Sequence, residues 1–184
     1  MKSSFAVAVL FLACGIAAAA EVAGVQLPDT VTVESKTLRL NGAGLRKKMV
    51  FKVYVAGLYL ETPSKDAAAI VSADQIKIMR LSILRSLDAK KITEAIEEGF
   101  EKNSKSQMAA LKPRLDRFNA MFPDVKEGDE IAMTYVPGKG TAVSAKGADK
   151  GTIEGKDFAD ALFSVWLGAN PVQEDLKAKL LGGT

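Results

Sequence analysis

The residues best equipped for chemistry lie in one stretch, NGAGLRKKMVFKVYVAGLYL, residues 41–60. Arg46 comes first. A guanidinium stays charged and holds a carboxylate through two parallel hydrogen bonds. Lys47 and Lys48 follow directly, so the same charge also reads as the start of a solvated basic turn. It is either a surface cation or one aimed into a cavity. Tyr54 and Tyr59 follow in a strand-like run and fall on opposite faces by alternation. A tyrosine in a buried strand is ordinarily core, its hydroxyl reaching a polar partner. Lys52 shares the face of Tyr54, so that face is not wholly dry and is the better cavity wall.

Other chemistry is excluded by composition. The chain has 184 residues, no histidine and a single cysteine, Cys14. A Ser-His-Asp triad is therefore absent, and His or Cys ligands for zinc, copper or haem iron are missing beyond that one thiol. No Asp-rich loop of the calcium type appears, and no metal or cofactor is expected. Glu94, Glu97, Glu98 and Glu101 occupy the outer face of a helix whose inner face carries Ile92, Ile96 and Phe100, so they read as solvated charge. Gly42-x-Gly44 is followed by a strand and carries no phosphate-loop signal. The net charge of +3 is too balanced to point to nucleic acid.

The N-terminus has the pattern of an export signal. Lys2 precedes an apolar run from Phe5 to Ala13, and Ala18 and Ala20 stand at the two small-residue positions of a cleavage site. The reading is a signal peptide over residues 1–20 and one domain over 21–184, periplasmic and without a membrane span after cleavage. Acylation at Cys14 is the less favoured alternative, because Phe11-Leu12-Ala13 fits a lipobox poorly.

Several elements must position the candidate residues. Val22–Leu27, Val31–Val33 and Thr37–Leu40 read as strands, the last ending at an Asn41-Gly42 turn. Met49–Leu60 is apolar in both alternation sets, as a central strand covered on both faces should be, and Gly57 within it suggests a close approach. A short helix over 66–73 and a strand over 75–84 come next. Helices over 88–102 and 104–121 follow, the second containing Pro113. A hairpin spans 130–145, a strand lies within 147–155, and two helices run over 157–167 and 173–181. Phe158, Leu162, Val165 and Trp166 share a face of the first of these. Strands, a helical block, a hairpin and terminal helices make an α+β domain.

The segments NGAGLRKK, FKVYVAGLYLE and FADALFSVWLGANPVQEDLKAKLLG resemble the chalcone isomerase-like superfamily, in particular its exported bacterial branch. The resemblance runs from Val22 to Gly182. It implies an open-faced β-sandwich in which helices cover a large antiparallel sheet, with a ligand cleft between them. In the enzymes of the superfamily an arginine stabilises a developing enolate, and Arg46 matches it in Gly-Ala-Gly-x-Arg. A strand threonine of the enzymes aligns with Tyr54, and a helix threonine or serine aligns with Val165, with Ser164 beside it. The link from Arg46 to Phe51 is shorter than in the enzymes, and no motif anchors Asn103 or Gln107 to their helical residues. The fatty-acid-binding members hold a carboxylate between the motif arginine and a strand tyrosine, which are Arg46 and Tyr54 here. The resemblance thus implies a non-catalytic binder of a fatty acid or similar amphipathic carboxylate, with Arg46, Tyr54 and Val165 at the ligand. An intramolecular lyase acting on chalcone-like substrates, with Arg46 catalytic, is one alternative. A haem- or protein-binding module, as some mitochondrial relatives suggest, is another.

Overall fold

A computed structural model describes residues 19–183. Residues 1–18, which include Cys14 and most of the expected signal peptide, lie outside the described residues. Ala19 and Ala20 belong to the first strand. That strand, β1 (Ala19–Val22), turns back at Ala23-Gly24 to pair with β2 (Val25–Pro28). The single strand expected over 22–27 is therefore a hairpin, bent where Gly24 takes a φ of +83°.

The main sheet has seven antiparallel strands in sequence order: β3 (Thr30–Val33), β4 (Lys36–Lys48), β5 (Phe51–Leu60), β6 (Lys77–Ile83), β7 (Glu130–Val136), β8 (Gly140–Ala145) and β9 (Ala148–Ile153). The helices α1 (Ala67–Ser72), α2 (Ala89–Ser104), α3 (Met108–Asn119), α4 (Lys156–Leu167) and α5 (Glu174–Leu180) complete the α+β domain. Most of the core lies between the sheet and these helices. Leu38, Tyr59, Ile76 and Ile78 form a smaller cluster on the opposite face.

The expected turn at Asn41-Gly42 does not form. The strand β4 runs straight through, with a bulge between Leu40 and Gly42. The small residues are there because α5 crosses the strand at this point. A methyl group on Gly42 would strike the Lys179 carbonyl, and one on Gly44 would meet Leu176 and Lys179 side chains. Asn41 joins strand and helix, donating to the carbonyls of Leu180 (2.8 Å) and Ser64 (2.9 Å). Gly57 also marks a close approach, in this case by the Leu27 side chain of β2.

The helix α4 is the centre of the helical layer. Eight of its residues are buried, Phe158, Leu162, Val165 and Trp166 among them, so it is covered nearly all round. It packs on α2 where Gly99 removes a side chain from the path of Val165. This packing sets how far α2 stands from the sheet, and Val165 and Trp166 line the space left there. Among the described residues no helix is long and apolar enough to cross a membrane.

Candidate functional site

Arg46 and Tyr54 are direct cross-strand neighbours in the register of β4 and β5. Their side chains therefore leave the same face of the sheet about 5 Å apart at their Cβ atoms. The register shifts immediately beyond them, between Arg46 and Lys47, so Val53 bulges out of the ladder. The bulge breaks the alternation expected for this strand. Phe51 and Val53 join Tyr54 on the cavity wall, whereas Lys52 is exposed to solvent and does not line it. Tyr59 is fully buried on the opposite face and takes no part.

Arg46 is steadied by Gln173, the residue preceding α5. Its Nη1 donates to Gln173 Oε1 at 3.0 Å and also to the Lys47 carbonyl. Gln173 in turn accepts from the Lys47 amide (2.8 Å) and donates to the Leu45 carbonyl (3.0 Å). One amide side chain thus ties the end of β4 to the start of α5 and orients the guanidinium. Among the described residues no carboxylate forms an ion pair with Arg46. A guanidinium carries five N–H donors, so several remain for a ligand.

Tyr54 has a partner that sequence reasoning did not assign to it. Trp166 Nε1 donates to the Tyr54 hydroxyl at 3.0 Å. An indole N–H is donor only, so the phenol is its acceptor and keeps its own proton to donate elsewhere. Burial pushes the Tyr54 pKa above its ordinary value, while the Trp166 hydrogen bond and the charge of Arg46 pull the other way. The phenol is therefore a neutral donor at physiological pH. The signal in the sequence was the general one that a buried tryptophan needs an acceptor for its N–H.

Arg46, Tyr54 and Val165 all line one cavity of about 360 Å³ between the sheet and the helices α2 and α4. That volume falls within the ~300–1,000 Å³ of small-ligand sites. The interior is apolar, walled by residues such as Leu81, Ile96, Ile131 and Met133. Its charged lining is of one sign: Arg46, Lys48, Arg85 and Lys91, with no aspartate or glutamate among the described lining residues. The Arg85 guanidinium lies 4.3 Å from the centre of the Phe51 ring. Arg85 and Lys91 had no motif to single them out, because each comes from a different element and only the fold brings them together.

The polar side chains of the helices near the cavity, Ser164 and Asn103, are otherwise engaged. Ser164 donates to the Asp160 carbonyl of its own helix (2.7 Å), and Val165 presents only methyl groups. Asn103 is spent on the Gly99 and Asn170 carbonyls and the Asn170 amide. Among the described residues no group of His, Cys, Asp and Glu side chains is arranged to hold a metal.

No curated protein matches the chain. Among solved structures, a fatty-acid binding protein from Arabidopsis thaliana superposes with a TM-score of 0.68 at 18% identity, over 86% of this chain and 92% of that one. The likeness is one of fold. The match of residues 19–182 to the chalcone isomerase-like family model covers nearly all of the described structure, and the chain belongs to that family.

Proposed function

We propose that this protein binds a fatty acid or similar amphipathic carboxylate without turning it over. The carrying observation is the pairing of Arg46, a cation with spare donors and no carboxylate partner among the described residues, with the neutral phenol of Tyr54 at an apolar cavity. The carboxylate would lie between guanidinium and phenol, and the alkyl chain among the apolar side chains of β5, β6, β7 and α2. Burial of each methylene contributes about 0.8 kcal/mol. The solved relative named as a fatty-acid binding protein supports this reading. So does the replacement of hydroxyl by methyl groups at Val165. Export through the signal segment over residues 1–20 to the periplasm is part of the proposal.

The test is native mass spectrometry of protein purified without detergent, followed by calorimetric titration with palmitate. The parent should carry or take up one fatty acid. Arg46→Ala should bind about tenfold to a hundredfold more weakly, the worth of a hydrogen bond to a charged group. Equal binding by Arg46→Ala would sink the anchor assignment. Chalcone turnover above background, lost in Arg46→Ala, would favour the isomerase instead.

A further inference from the structure

The turn between β4 and β5 exposes what a soluble protein usually hides. Met49 is 89% exposed, Val50 86% and Phe51 52%, and among the described residues no other large apolar side chain is exposed. The register places Lys48 opposite Phe51, so Met49 and Val50 alone form the loop. Two-residue hairpin loops favour Gly, Asn and Asp, because they require left-handed backbone. Met49 adopts a φ of +56°, a conformation that disfavours its side chain. This loop thus accepts both a strained backbone and exposed apolar surface, and nothing in the domain's own packing calls for either.

The residues that flank the tip in sequence and stack on it are all basic. Lys47, Lys48 and Lys52 flank the apolar residues and are exposed, and Arg85 stacks against Phe51. Two nearby acids are matched by their own lysines, Asp88 at 3.4 Å from Lys91 and Glu98 at 2.5 Å from Lys102, while Glu174 and Asp175 at the start of α5 are exposed. Apolar residues ringed by lysines are the pattern of an element that lies in a bilayer interface, the apolar part among acyl chains and the ammonium groups at anionic headgroups. The tip is also part of the cavity wall, since Lys48, Met49 and Phe51 line it together with Arg46 and Tyr54.

We propose that the Met49-Val50-Phe51 tip, with Lys47, Lys48 and Lys52, docks the protein onto anionic bilayers. Docking places the cavity mouth against the lipid, so an amphipathic carboxylate passes between bilayer and cavity with little exposure to water. The transfer rests on the fatty-acid reading above; the docking does not. Electrostatic attraction adds to apolar insertion, so salt should weaken the docking.

The test is co-flotation of ligand-free protein with phosphatidylglycerol–phosphatidylethanolamine vesicles, with phosphatidylcholine vesicles as the comparison. Parent protein should float with the anionic vesicles and should be released by salt. Val50→Asp alters a side chain outside the cavity lining and should bind these vesicles about tenfold more weakly or worse. Its thermal midpoint and palmitate affinity should stay at the parent values. A tryptophan placed there, Val50→Trp, should shift its emission to the blue when anionic vesicles are added. Failure of the parent to float, or flotation of Val50→Asp like the parent, overturns the proposal. A parent that dimerises in sedimentation equilibrium, is made monomeric by Val50→Asp and ignores vesicles overturns it too, and makes the tip a self-association surface. Flotation without palmitate binding leaves the docking standing and removes the fatty-acid reading.

Discussion

Arg46 and Lys77 both project from the helix-covered face of the sheet, and the fold treats them in opposite ways. Lys77 is fully buried, and its Nζ donates to the carbonyls of Ile70 (3.0 Å), Val71 (2.6 Å) and Ala73 (3.1 Å) at the end of α1. An ammonium has three protons, and all three are used. The carbonyls belong to the unsatisfied end of a helix, where a cation is also favoured by the helix dipole. Asp160 stands 3.8 Å away and balances part of the charge. Burial nevertheless lowers the Lys77 pKa to about 8, against the opposing effect of Asp160. Arg46 is less buried, tethered at one nitrogen by Gln173, and left with donors facing a cavity. A cation whose donors are all spent holds a fold together. A cation with donors to spare is available to a ligand.

Breaking each of the two cations should separate these roles. Lys77→Met takes the donor from three helix-end carbonyls, one buried and two partly buried, and should destabilise the protein by about 3 kcal/mol in denaturant unfolding. Arg46→Ala should do the reverse: palmitate affinity falls by about 2 kcal/mol, while unfolding shifts by less than about 1 kcal/mol. If Arg46→Ala unfolds as readily as Lys77→Met, the contrast between the two sites is wrong.

Acidity sharpens the same contrast. The folded pKa of Lys77, about 8, lies below its ordinary value of 10.5. Between these values the unfolded chain binds more protons than the folded one, so this group makes stability increase with pH. The slope has an upper limit of about 1.4 kcal/mol per unit, and it flattens below pH 8, where both states are charged. Comparing pH–stability profiles of the parent and Lys77→Met isolates this slope, because only the parent should show it. Tyr54→Phe should have the smallest effect. It removes one donor to the ligand and orphans the Trp166 N–H, costing about 1 kcal/mol in affinity and about 1 kcal/mol in stability. Loss of affinity without loss of stability would mean that Trp166 finds another acceptor.

How much of this was legible in the sequence differs by residue. Helical and alternating periodicity located most of the main-sheet strands and the five α-helices of the described residues, because each depends on near neighbours in the chain. The segments around NGAGLRKK and KVYVAGLYL carried the family resemblance, and with it Arg46 and Tyr54 as candidates for one carboxylate; the register of β4 and β5 decided that they are neighbours. Asn41-Gly42 reads as a turn in the sequence, but β4 runs through it. Glycine looks the same in a sequence whether it bends the chain or clears space for a crossing helix, and only the position of α5 distinguishes the two. Lys52 was placed on the cavity face by strict alternation, which the bulge at Val53 interrupts.

What the sequence determined by itself is local and compositional: an α+β chain without histidine, a strand-rich first half, amphipathic helices, and a short list of residues able to bind an anion. What only the tertiary structure decided is which of those residues meet. The Trp166–Tyr54 hydrogen bond joins residues separated by 112 positions, and the Arg46–Gln173 bond joins residues separated by 127. Such contacts leave no periodic trace, because they depend on the packing of α4 and α5 against the sheet. The same packing spends every proton of Lys77 on a helix end and leaves several of Arg46 facing the cavity.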